Sequence, residues 1–93
     1  RYGAVSGEVA EEMAAGGRRV LGVDVCVADT GIAGPGGATE EKPVGLFWLG
    51  LSHGGGTFSR RHVFDGDRDE NKRLAATAAL EWVKEYLTGL GGQ

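Results

Sequence analysis

Ninety-three residues carrying ten Lys and Arg against thirteen Asp and Glu make at most one small domain with a net charge of -3, without the basic balance that nucleic-acid binding calls for. No apolar run approaches the ~20 residues of a membrane-spanning helix and no charged-then-apolar leader opens the chain, so neither nucleic acid nor membrane is expected as a partner and the chain reads as cytoplasmic. A single cysteine, Cys26, excludes an internal disulfide; with no second Cys and no paired His at ligand spacing it makes no zinc site, and no metal is expected.

The first element is a helix over Ser6 to Val20, where Val9, Ala10, Met13, Ala14, Gly17, Val20 and Leu21 recur at three- and four-residue steps. Ser6 is its N-cap, Glu8, Glu11 and Glu12 suit the positive end of the helix dipole, Arg18 and Arg19 suit the negative end, and Gly22 stops it. Val23 to Ala28, "VDVCVA", is a β-branched run expected as a largely buried strand. After a glycine-rich stretch, the continuous apolar run "VGLFWLGLS", Val44 to Ser52, predicts a strand covered on both faces. "HGGG" then turns the chain into a more exposed strand, Thr57 to Phe64, paired as a hairpin, with Phe58, Arg60, His62 and Phe64 on one side and Thr57, Ser59, Arg61 and Val63 on the other. Asp67 followed three residues later by Glu70 resembles a capping box, so a last helix starts near Arg68; its predicted stripe is Ala76, Ala79, Leu80, Val83, Tyr86 and Leu87, flanked by Trp82, and Gly89, Gly91 and Gly92 end it. Helix, strand, glycine-rich loop, hairpin and C-terminal helix give an α/β fold. Three strands and two helices are thin cover for two apolar strands, which predicts missing neighbours or a partner chain.

The connection "DTGIAGPGGATEEKPVG", Asp29 to Gly45, holds five glycines and both prolines. Glycines leaving a buried strand let backbone N–H groups converge on an anion such as a phosphate. Two phosphate templates fail: Gly31 and Gly36 have P-loop separation, but Gly37 and Ala38 stand where Lys and Ser or Thr should follow, and Gly34 and Gly36 lack the third glycine of a dinucleotide fingerprint. The pattern by itself leaves a ligand loop and an ordinary long turn both open. Thr30 lies at the strand's end, Arg68 at the start of the last helix could add a guanidinium for the same anion, and Lys42 is a possible third cation. His53 and His62 have no serine or carboxylate at a telling spacing, and Trp48 and Trp82 read as core or interface anchors.

The stretches "YGAVSGEVAEEMAAGGRR", "ADTGIAGPGGATEEKPVGLFWLGL" and "FDGDRDENKRLAATAAL" resemble, in order and spacing, the C-terminal two-thirds or so of the CinA C-terminal domain, the nicotinamide-nucleotide amidohydrolase family. The resemblance implies a partial three-layer α/β/α sandwich that assembles as dimers or higher oligomers, uses no metal or organic cofactor, and hydrolyses the carboxamide of nicotinamide mononucleotide (NMN) to nicotinic acid mononucleotide and ammonia. It also implies a serine nucleophile in a Thr-Ala-Glu-Ser-Cys-Thr-Gly-Gly stretch, with a tyrosine and a lysine, upstream of "YGAVS" and so not among these residues. What it carries over is the substrate-holding half: Thr30 and the loop residues Gly31, Ile32, Ala33, Gly34 and Gly36, with Lys42 in the matching "EKPVG" and Arg68 of "GDR" as a phosphate contact. Asp29 stands where the family commonly has an apolar or hydroxyl residue. The expectation is that these 93 residues alone release no ammonia from NMN. The alternative is a non-catalytic module that binds a nucleotide or a partner protein.

Overall fold

Among the described residues, five elements follow in chain order: α1 (Gly7–Leu21), β1 (Val25–Gly31), β2 (Leu46–His53), β3 (Gly56–Val63) and α2 (Arg68–Gly92). The computed structural model describes residues 5–32 and 44–92. The strands form one antiparallel sheet in the order β1-β2-β3. Helix α1 crosses all three strands, and α2 packs on β1 and β2.

The register sorts the two faces. Cys26 with Ser52, Ala28 with Gly50 and Thr30 with Trp48 pair on one face, and the row continues onto Ser59 and Arg61 of β3. This is the α1 face, because Gly7 packs against the Trp48 ring and Gly17 against Cys26. Residues one position along each strand face the other way. There Leu49 and Leu51 form a core with Ala79 and Trp82 of α2, and Val25, Val27, Ala78, Val83 and Tyr86 pack around it. A helix layer on each side of the sheet fits the α/β fold expected from the element order and the partial three-layer sandwich that the resemblance implies.

Both helix starts follow from local chemistry. Ser6 is extended and its Oγ accepts from the Val9 N–H at 3.2 Å, while Gly22 closes α1 in the left-handed conformation that glycine takes without strain. Asp67 Oδ1 accepts from the Glu70 N–H at 2.8 Å, so α2 begins at Arg68 as the Asp-Glu spacing predicts. Strand β2 is buried along nearly all its length, and β3 is largely exposed.

Several expectations need correcting. Strand β1 starts at Val25 rather than Val23 and continues through Asp29, Thr30 and Gly31, because these pair with Leu49, Trp48 and Phe47. It is half-buried, not largely buried, since it lies at the sheet's edge. In α1 the side facing the sheet is Gly7, Ala10 and Ala14, whereas Met13, Val20 and Leu21 are exposed. The helix lies so close to β2 at Gly50 that a Cβ there would collide with the Ala10 carbonyl, and small residues on the helix make this approach possible. In α2 the inner stripe is Asn71, Ala75, Ala79 and Trp82, while Ala76, Leu80 and Leu87 face outward. That helix also runs on through its glycines to Gly92: Gly89 keeps a right-handed backbone, and without the left-handed turn it does not stop the helix.

Candidate functional site

Antiparallel pairing brings the end of β1, the start of β2 and the end of β3 to one edge of the sheet, and α2 begins just beyond it. The base of the glycine-rich connection is fixed there. Ile32 N–H donates to the Leu46 carbonyl at 2.8 Å, Gly45 N–H donates to the Ile32 carbonyl at 2.6 Å, and Phe64 N–H donates to the Gly45 carbonyl at 2.9 Å. Gly45 has φ 89, and a Cβ on it would run into the Phe64 carbonyl, so this position accepts glycine alone. A second set of bonds holds the turn into α2. Gly66 N–H donates to Oδ1 of the fully buried Asn71 at 2.9 Å, and Asn71 N–H donates to the Asp67 carbonyl at 2.8 Å. Phe64 of the first set and Gly66 of the second are two residues apart, so the connection's base and the segment leading to Arg68 meet at the exit of β3.

Of the residues singled out in the sequence, Thr30 and Gly31 are the last two of β1, not loop residues. Thr30 is half-buried on the α1 face beside Trp48, whereas a Cβ on Gly31 would enter the Phe47 ring, which accounts for glycine there. Ile32 has a buried side chain, and both its backbone groups are engaged at the loop base. Arg68 is the first residue of α2 and is exposed. Ala33, Gly34, Gly36 and Lys42 lie outside the described residues. Asp29 is exposed and pairs with Leu49 on the face opposite Thr30, so its charge points away from the α1 side.

The residues that sequence reasoning missed lie between the start of α1 and the sheet. A cleft of about 470 Å³ opens there, with Trp48 and Leu46 as its floor, Ser59 and Arg61 along β3, and Ser6, Gly7, Glu8 and Glu11 along α1. Its volume is in the range of small-molecule sites. Ser59 Oγ donates to Glu11 Oε2 at 2.7 Å, tying the helix to β3. Thr30, Trp48 and Arg61 occupy one row across the three strands. The alternation of β3 already put Arg61 with Ser59, but only the pairing register aligns both with Thr30. Among the described residues, no three His, Cys, Asp or Glu side chains are grouped as a metal site would need, and no helix is long and apolar enough to cross a membrane.

Residues 1–87 match the CinA C-terminal domain family. The chain belongs to that family. Curated relatives agree: it is 44% identical over 88 residues to a CinA-like protein of Geotalea uraniireducens, covering 95% of this chain and 21% of the relative. It is 49% identical over 87 residues to a CinA-like protein of Salinibacter ruber, covering 94% of this chain and 21% of the relative. The crystal structure of a competence-damaged protein (CinA) superfamily protein from Escherichia coli superposes with a TM-score of 0.86 at 35% identity, covering 92% of this chain and 50% of that one. A competence/damage inducible protein from Agrobacterium tumefaciens gives 0.83 at 37% identity, covering 90% and 52%. The chain thus spans about a fifth of the length of these curated CinA relatives and about half of the solved CinA chains.

Proposed function

We propose that this CinA-type chain forms the substrate-holding part of a nicotinamide-nucleotide amidohydrolase, a hydrolase of pyridine-nucleotide salvage. The observation that carries the reading is the hydrogen-bonded unit joining Ile32, Gly45 and Phe64, which fixes the base of the "TGIAGPGG…EKPVG" connection beside the segment that leads into Arg68. A glycine-rich backbone and a guanidinium at a helix start are both suited to a nucleotide phosphate. In the reaction, a serine oxygen attacks the carboxamide carbon of NMN, backbone N–H groups stabilise the tetrahedral oxyanion, and the C–N bond breaks as nitrogen takes a proton and leaves as ammonia. Water then hydrolyses the acyl-serine to nicotinic acid mononucleotide. The serine comes from the intact domain, and Thr30, the loop and Arg68 position the substrate.

Calorimetric titration with NMN tests this reading. Saturable binding is expected, and Arg68→Ala should weaken it by about tenfold, the worth of one charge-assisted hydrogen bond. Failure to bind NMN, with the fold intact by circular dichroism, rejects the reading and favours the non-catalytic module.

A further inference from the structure

We infer that the cleft between α1 and the sheet is the nucleotide subsite of the proposed amidohydrolase, with Arg61 as a second phosphate contact, Glu8 as the acceptor for ribose hydroxyls and Trp48 as the surface against the ring. The inference rests on the proposed function and adds residues to it. Arg61 is exposed, lines the cleft, and makes no ion pair with any described residue, although Glu8 and Glu11 line the same cleft. Glu11 is already engaged by Ser59, which leaves Glu8 as the cleft's other carboxylate, with no hydrogen-bond or ion-pair partner among the described residues. Trp48 is half-buried, packs the edge of its six-membered ring against Gly7 and lines the cleft. A guanidinium, a carboxylate and an indole around one cavity match the three parts of a ribonucleotide: an anionic phosphate, a diol and a planar ring.

The register relates this cleft to the site already described. Thr30, Trp48 and Arg61 are consecutive partners on one face, so at ~4.8 Å per strand Arg61 stands roughly 10 Å across the sheet from Thr30. Both are near the edge where the glycine-rich connection starts and α2 begins. A phosphate dianion carries two charges, and Arg68 supplies only one of the compensating cations.

The test compares NMN with nicotinamide riboside, which has the same ring and ribose but no phosphate, by calorimetry and by tryptophan fluorescence. Arg61→Ala should raise the Kd for NMN by about tenfold and leave that for the riboside unchanged, and Arg61→Lys should restore part of the loss. NMN should quench the unaltered protein, and Trp48→Phe should remove the quench, since Trp82, the other indole, is buried on the opposite face. If Arg68→Ala weakens NMN binding while Arg61→Ala does not, the subsite is overturned and the proposed function stands. Equal losses for NMN and the riboside in Arg61→Ala overturn the phosphate assignment. If the unaltered protein binds no NMN, the proposed function falls first and this inference with it.

Discussion

Gly45 and Phe64 meet backbone to backbone: the Phe64 N–H bonds the Gly45 carbonyl at 2.9 Å, and the space where a Gly45 side chain would stand is filled by the Phe64 carbonyl. One residue thus ties the return of the glycine-rich connection to the exit of β3. Gly45→Ala must accept both a left-handed backbone and a collision, and should cost about 2 kcal/mol or more. For a domain of this size that lowers Tm by about 10 °C. Thermal melts of the variant against the unaltered protein check this, and an unchanged Tm would refute the packing.

Gly50→Ala should be harmful for a different reason. Its backbone is ordinary, but the added methyl would strike the Ala10 carbonyl and push α1 off the sheet, at about 1–3 kcal/mol. Gly54, in the hairpin turn, has nothing nearer than the Arg18 guanidinium at 3.9 Å and a backbone that any residue tolerates, so Gly54→Ala should be close to neutral. Urea denaturation of the two variants distinguishes a packing effect from a general dislike of losing glycine.

Asp67→Ala removes the acceptor for the Glu70 N–H and should cost about 1 kcal/mol. Asp67→Asn keeps a cap oxygen and should recover most of it. By contrast, Glu85→Ala breaks only an exposed pair with Arg60 at 3.1 Å and should change stability by less than about 1 kcal/mol, because Arg60 still lies over the Trp82 ring at 4.5 Å. Equal destabilisation by Asp67→Ala and Glu85→Ala in the same denaturation series would contradict this ranking.

Strand β1 is an edge of the sheet and carries half-buried Val25 and Val27, and such edges favour association. Light scattering of the 93-residue chain should give a dimer or larger species. A monodisperse monomer would show that the edge is tolerated.

The helix starts were legible because capping is local: Ser6 and Asp67 act within three residues of themselves. The apolar stripe of α1 was not, since hydrophobicity favours Met13, Val20 and Leu21 while the sheet accepts Gly7, Ala10 and Ala14. Contact distance between a helix and a strand selects for size, and a pattern of apolar residues carries little of that information. In α2 the predicted stripe turned Ala76, Leu80 and Leu87 inward, whereas the structure buries Asn71, Ala75 and Trp82 with Ala79, because alanines on several sides leave apolar spacing a weak guide to the inner face. The site divides in the same way. Thr30 and Arg68 stand out by their places next to turns, whereas Trp48 and Arg61 join Thr30 only through a register that depends on three strands.

The glycines at the seam between α1 and the sheet have a mechanical consequence. Gly7 rests on Trp48, Gly50 on Ala10 and Gly17 on Cys26, so the helix is seated like a plank on three thin shims. Thickening the shim at Gly17, at the end of the helix far from the cleft, would tilt the plank and change the opening at the other end. For the subsite inferred above, a methyl at Gly17, which does not line the cleft, should therefore alter the fit of a ligand from a distance.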